Sequence, residues 1–439
     1  MDRAHAVGVR DHTGANRATR SSDQESQAMT RPVDDLEQWL SRVSAPGWHW
    51  YAKYIAANDT YAKPNVHQGG PYLGKELLRA AFPTLTERAE HDKNPDLHLT
   101  ANVASHRLTQ DVRLIWYNSR RVEKRGNGRD EARLTNWGGK EHPLVAEDAT
   151  GSLVMFAFQQ PGSGKDADGV EVWITRSVEE EDLILSALGL VEPGKGVCFT
   201  PSAGLIGTLT RPRHSPCALR AHELLPEWRD ELPSGEAIVD MVLARLQGRR
   251  HLGADDRLLT RRACEYELFQ SIESHVVLPR VKEGFANVEE FVRFANSVTN
   301  RRKSRAGKSL ELHARAIFNE EAVPHTWTPQ TEERRTPDFI FPSIELYHDK
   351  KWPANKLRML GAKTTCKDRW RQILNEAKRV EEKHLLTLQE GVSVPQFKEM
   401  REEGVQLVVP LGLHDKYPDE LRGELVTFEA FIREVKALA

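Results

Sequence analysis

The sequence predicts a multidomain chain, with a mainly β N-terminal domain followed by an α/β C-terminal domain. Three observations carry that expectation. The 439 residues include 39% hydrophobic and 29% charged side chains, enough for two separate cores. Up to about residue 210, short apolar runs alternate with Gly, Pro, Asn and Asp clusters. Beyond about residue 255, apolar residues recur at helical spacing between short runs that read as buried strands.

Residues 1–30 are rich in Arg, Asp, Ser, Gln and His with little to bury, the composition of a disordered leader. The domain expected over 31–210 contains candidate strands at 97–105, 113–117, 153–158 and 170–175. Residues 211–255 hold Pro212, Pro216, Pro226, Pro233 and Gly235 and read as a linker. The domain expected over 256–439 opens with helical patterns at 258–276, 288–300 and 309–321. Short strands follow at 339–341 and near 359–365, then a long helical stretch over 368–383, strands at 385–388 and 405–409, and a closing helix at 428–438.

Composition excludes several function classes. Lys and Arg total 62 against 64 Asp and Glu, so affinity for nucleic acid must come from local basic patches. Apolar runs fall far short of the roughly 20 residues of a membrane span. Cys198, Cys217, Cys264 and Cys366 form no CxxC pair, so neither zinc nor a disulfide framework is expected, and a cytoplasmic location fits.

The chemistry concentrates in Thr336-Pro337-Asp338-Phe339-Ile340-Phe341 and in the later Gly361-Ala362-Lys363. A carboxylate on one strand and a lysine on the next meet if the strands form a hairpin. Phosphodiester hydrolysis uses such a pair: an acid to hold Mg²⁺, and a cation to orient water and offset developing charge. The second acid of a Pro-Asp…(Asp/Glu)-x-Lys nuclease would stand at 361, which is glycine. Glu376, expected two turns into the following helix, is the candidate replacement, and Glu311 a further acid. Each residue also has a bland alternative: a turn for Asp338, a solvated strand edge for Lys363, a helix surface for Glu376.

Lys367-Asp368-Arg369-Trp370-Arg371 combines groups suited to reading G·C pairs, since Arg binds guanine O6 and N7 and Asp accepts from cytosine N4. The same residues also suit an ordinary helix start. The acid-free run 301–308 reads as a phosphate contact strip or a solvated basic loop. In the first domain, residues 113–140 hold eight Lys or Arg against three acids, interleaved with Trp116, Tyr117 and Trp137. That surface suits DNA, unless the tryptophans are simply core.

Residues 300–313, 336–341, 363–372 and 387–393 together closely resemble EcoRII-type (Type IIE) restriction endonucleases, and the likeness runs from about residue 34 to the C-terminus. The resemblance implies a C-terminal PD-(D/E)XK restriction-endonuclease fold with a displaced acid. Asp338 and Glu376 would then bind Mg²⁺ and Lys363 would activate water, supported by Lys367 and Glu311. It implies a double-stranded target like 5'-CC(A/T)GG read by Asp368, Arg369 and Arg371, with Arg261, Arg262 and Tyr266 near a flipped central pair. It also implies an N-terminal B3-like DNA-binding pseudobarrel, in which His67, Tyr72, Arg129, Glu131 and Arg133 hold a second copy of the site as allosteric effector. Ala132 departs from the usual lysine, and the loop Gly126-Asn127-Gly128 is differently built. Cutting both strands implies a homodimer. Two alternatives stay open at this point: a nuclease of the same fold in repair or defence with other specificity, and a DNA-binding protein that does not cut.

Overall fold

The computed structural model describes residues 32–62, 69–123, 130–188, 193, 194, 196–199, 217–228 and 232–438; the expected leader lies outside them. The first domain runs α1 (Pro32–Val43), β1 (Trp48–Tyr54), β2 (Tyr72–Leu73), α2 (Lys75–Ala81), α3 (Pro83–His91), β3 (Asp96–Val103), β4 (Leu108–Tyr117) and α4 (Ser119–Val122). It continues with β5 (Glu131–Thr135), β6 (Leu153–Gln159), β7 (Gly169–Ile174), α5 (Val178–Leu188) and β8 (Val197–Phe199). Its strands make one sheet in the order β2-β5-β4-β3-β7-β6-β1-β8, antiparallel except where β3 runs beside β7.

The sheet is covered on both sides, and β6 shows why its sequence is apolar throughout. Val154, Phe156 and Phe158 enter a core shared with α2 and α3, while Leu153, Met155 and Ala157 face α1 and α5. Alternation at period two therefore serves two apolar faces instead of one wet and one dry. The four strands expected here all form. Trp116 and Trp137 are core, with Trp116 Nε1 donating to Asp130 and Trp137 Nε1 to the Leu134 carbonyl. Ala132 is buried in the same core, where its methyl fits and a lysine ammonium would have to leave.

The second domain begins with α6 (Gly235–Arg245), α7 (Ala254–Glu283) and α8 (Val288–Glu320). Ser234 and Asn287 cap α6 and α8 by accepting from Ala237 and Glu290. Then come β9 (Thr326–Trp327), β10 (Phe339–Phe341), α9 (Ile344–His348), β11 (Arg358–Ala362), β12 (Lys383–Leu386), α10 (Val394–Glu402), β13 (Val405–Val408) and α11 (Phe428–Leu438). The sheet order is β13-β12-β11-β10-β9, parallel across β11, β12 and β13 and antiparallel across β11, β10 and β9. Helices α7, α8 and α11 pack one face; residues 370–380 and α10 close the other.

Four expectations need correction or refinement. No long helix spans 368–383: a 3₁₀ turn at Trp370–Ile373 gives way to loop, and Ala377 takes a left-handed φ of 52°. Trp370, Ile373 and Ala377 imitate helical spacing because all three are buried, by turns that double back over the sheet. The basic run 301–308 is helical, within α8. Cys217 and Cys264 are joined in a disulfide, contrary to expectation; their sequence separation of 47 hid the pairing. The described part of the expected linker is built into the fold, since Leu219, Leu224, Trp228, Ile238 and Val242 share a core with α7.

Candidate active site and the face that covers it

The β10/β11 hairpin does what the motif requires. Pairing of Phe339 with Leu360 places Asp338 beside Ala362 and Lys363. Asp338 Oδ2 accepts from Ala362 N at 2.7 Å and from Lys363 Nζ at 3.1 Å. Gly361 is an internal position: a Cβ there would lie 2.8 Å from Ile373 Cγ2. The strand has no room for the acid that commonly stands there.

Glu376, the candidate for that second acid, feels the charge of Asp338. Burial and then the Asp338 charge push its carboxyl up to about 7, against the opposing pull of Lys363, Arg335 and Lys383. Glu311, on α8, is also raised, by burial and then by Asp338, and accepts a hydrogen bond from Trp327 Nε1. Arg315 stacks on that indole at 3.9 Å. Lacking a helix, the Glu376 loop is held from outside. Glu332 accepts from Tyr347 Oη at 2.7 Å and from Lys378 N at 3.4 Å, while Arg379 donates to the carbonyls of Asp349 and Trp352.

The Asp338 charge acts on both Glu376 and Glu311, and neighbouring carboxylates of this kind suit a hard divalent cation, which would offset both the burial and the repulsion that raise Glu376. Among the described residues no three His, Cys, Asp or Glu side chains converge as a ready-made metal cluster. The fit rests on Asp338 and Glu376 with Glu311 behind them.

The other expected residues divide into groups. Lys367 points away from the acids and donates to Ser152 Oγ at 2.6 Å and to the Asp148 carbonyl, both in the first domain. Arg369 pairs with Asp182 at 2.9 Å and Glu181 at 3.4 Å, on α5. Glu181 also accepts from Tyr54 Oη and Thr365 Oγ1, and its burial raises its pKa. Asp368 is exposed on the turn between them. Arg371 is free of this seam and pairs with Glu399 at 2.6 Å over the Trp370 ring. Further along, Val394 N donates to Glu147 and Ala57 N to the Glu390 carbonyl. Gly391, at φ 103°, comes so close that a Cβ would sit 2.7 Å from Ala57 Cβ.

Arg261 and Arg262 are buried. Arg261 pairs with Glu320 at 2.8 Å, and Arg262 with Glu265 at 2.9 Å in a cluster with Arg305, Ser309 and His313. Tyr266 is half-buried on the same helix. In the run 301–308, Arg302 pairs with Glu273 at 2.5 Å and Arg305 lies under the Phe269 ring, leaving Lys308 exposed.

At the effector edge, Tyr72 pairs in register with Arg133. Arg133 Nε donates to Glu131 at 2.9 Å and its NH1 to the carbonyls of Asn58 and Gly70. His67, Arg129 and the loop 126–128 lie outside the described residues. Sequence reasoning missed Glu181 and Asp182. The available signal was the acid run 179–182, opposite in charge to Lys367 and Arg369. Nothing in the sequence marked Trp327, whose role depends on a two-residue strand reaching α8.

Family models match both halves: "Restriction endonuclease EcoRII, N-terminal" over residues 44–202 and "EcoRII C terminal" over 269–432. The chain is 42% identical over 406 residues to the Type II restriction enzyme EcoRII of Escherichia coli, covering 92% of this chain and 98% of that protein. The chain belongs to the EcoRII family of Type II restriction enzymes. It has the two-part architecture of that family of DNA-cleaving enzymes, with both matched regions in one chain. Two solved structures are similar in part. Metal-depleted Ecl18kI in complex with uncleaved, modified DNA is 19% identical, covers 47% of this chain and 79% of that chain, and has a TM-score of 0.40. The PspGI–substrate DNA complex is 14% identical, covers 47% and 93%, and has a TM-score of 0.39. No described helix is long and apolar enough to cross a membrane.

Proposed function

We propose that this member of the EcoRII family is a Mg²⁺-dependent endonuclease that cuts double-stranded DNA at a sequence like 5'-CC(A/T)GG. Asp338 and Glu376 would hold the cation, and Lys363 would orient the attacking water. The observation that carries this reading is the Asp338 carboxylate, fixed by Ala362 N–H and Lys363 while its charge acts on Glu376. Mg²⁺ held by Asp338 and Glu376 would supply positive charge for the scissile phosphate and make the attacking water more acidic. The chain's own residues do the rest: Lys363 offsets charge building on the phosphate, and Glu311 stands behind Asp338.

Asp368, Arg369 and Arg371 read the G·C pairs, and Arg261, Arg262 and Tyr266 brace the region of the flipped pair through α7. In the arrangement described here, Lys367 and Arg369 are engaged by Asp148, Ser152, Glu181 and Asp182. DNA cannot use both while residues of the first domain hold them, so we read this arrangement as a closed state. A second site bound at Tyr72, Glu131 and Arg133, with His67 and Arg129, would favour release, which makes the gate allosteric. Two strands require two active sites, hence a homodimer.

The test is digestion of a plasmid carrying several CC(A/T)GG sites, with Mg²⁺, with EDTA, and with Lys363→Ala, followed by sequencing of the ends. Cuts confined to those sites and lost in both controls are expected. Cuts elsewhere would keep the chemistry and discard the specificity.

A further inference from the structure

Near the acids, two exposed cations make no hydrogen bond or ion pair among the described residues. Arg335 is exposed, and its guanidinium makes no hydrogen bond or ion pair among the described residues. Its backbone, by contrast, is firmly placed. Arg335 N donates to Glu332 O at 3.0 Å, and its carbonyl accepts from Thr331 N at 2.8 Å. The turn is tightened by Glu333 and Arg334, both at positive φ, 55° and 60°. Glu332 fastens this turn to Tyr347 and to the loop that carries Glu376. Arg335 thus stands three residues before Asp338 on a support built into the active site, and its charge acts on Glu376. On α8, Lys308 is exposed one turn before Glu311, likewise without a hydrogen bond or ion pair among the described residues, and its charge acts on Glu311.

Unpaired cations beside a cluster of acids attract an anion to that side of the pocket, and the anion this reaction brings is the DNA backbone. We infer that Arg335 and Lys308 grip the phosphates of the strand to be cut, Arg335 on the Glu376 side and Lys308 on the Glu311 side. The inference rests on the nuclease reading above. It names substrate-contacting residues that neither the motif nor the ion pairs of the site include. Arg335 is the nearer of the two to the metal-binding acids in the chain, so its loss slows cutting as well as binding. Lys308 lies a helical turn away and chiefly holds DNA.

The experiment compares Arg335→Gln, Arg335→Lys, Lys308→Gln and, as a control for charge alone, Arg334→Gln. Binding to a one-site duplex is measured in Ca²⁺ across salt concentrations, and single-turnover cleavage in Mg²⁺. For Arg335→Gln and Lys308→Gln the slope of log affinity against log salt is expected to flatten by about 0.9, the loss of one phosphate contact. Arg335→Gln also slows cleavage at saturating enzyme by about 10-fold or more. Arg335→Lys retains the slope, and Arg334→Gln leaves slope and rate as in the wild type. Unchanged slopes in Arg335→Gln and Lys308→Gln, or an equal loss in Arg334→Gln, would overturn the inference while wild-type cutting left the nuclease reading intact. Absence of cutting by the wild-type chain sinks both, and is told apart by that control.

Discussion

Asp338 organises the site because a single oxygen receives both a backbone N–H and the Lys363 ammonium, leaving the other oxygen for what binds there. Lys363→Ala is expected to lower cleavage by about 10³-fold while sparing binding, as read by gel shift beside single-turnover kinetics. Glu376 gives a prediction about stability. Its folded pKa, about 7, lies above the ordinary 4.5, so between those values the folded chain holds a proton that the unfolded chain has lost. Stability without metal therefore falls as pH rises from about 4.5 through 7, by on the order of 1–2 kcal/mol once exposure is allowed for. Glu376→Gln should flatten that fall in urea titrations from pH 5 to 8, and a slope as steep as wild type would refute the assignment. Asp338 and Lys363 were legible in the sequence because a hairpin needs only short apolar runs of matched length. Glu376 was legible as an acid but not as a loop residue, since burial by doubling back leaves the same apolar spacing as a helix. Arg261 and Arg262 were singled out by the family resemblance, and an arginine's charge does not distinguish a DNA contact from a buried ion pair.

At the level of elements, β11 shows how a strand can dictate chemistry. Gly361 faces Ile373 with no space for a side chain, so the second acid has to come from the loop beyond. Gly361→Glu is expected to destabilise the domain by about 1–3 kcal/mol through overpacking. Combined with Glu376→Ala it should restore no cutting, since the strand position points into packed side chains. Recovered activity in the double variant would mean that the position opens toward the metal. Helix α5 makes the complementary case. Its N-terminal half supplies Glu181 and Asp182, and Arg369 of the other domain lies against them. Replacing both by Gln and Asn leaves the catalytic chemistry untouched and removes the clasp. Cleavage of DNA carrying a single site should rise several-fold, and the stimulation by added effector duplex should shrink. A rise without loss of effector stimulation would place the gate elsewhere.

For the molecule as a whole, the division into a β domain and an α/β domain was legible because the two use different periodicities, and every expected strand of the first domain forms. What stayed hidden was how the domains meet, since a surface that serves two purposes keeps the composition of either one. Lys367 and Arg369 look equally suited to guanine and to acids on a neighbouring domain. One close approach at this seam, Gly391 against Ala57, has a consequence for how such a protein can change over generations. No smaller residue exists than the one already present, so substitution at 391 acts in a single direction. Gly391→Ala introduces a methyl as a wedge, at a φ that strains it too, and is expected to raise one-site cutting by loosening the seam. Selection for relaxed control could therefore find release by a single change here, whereas tighter restraint would have to be sought elsewhere in the chain.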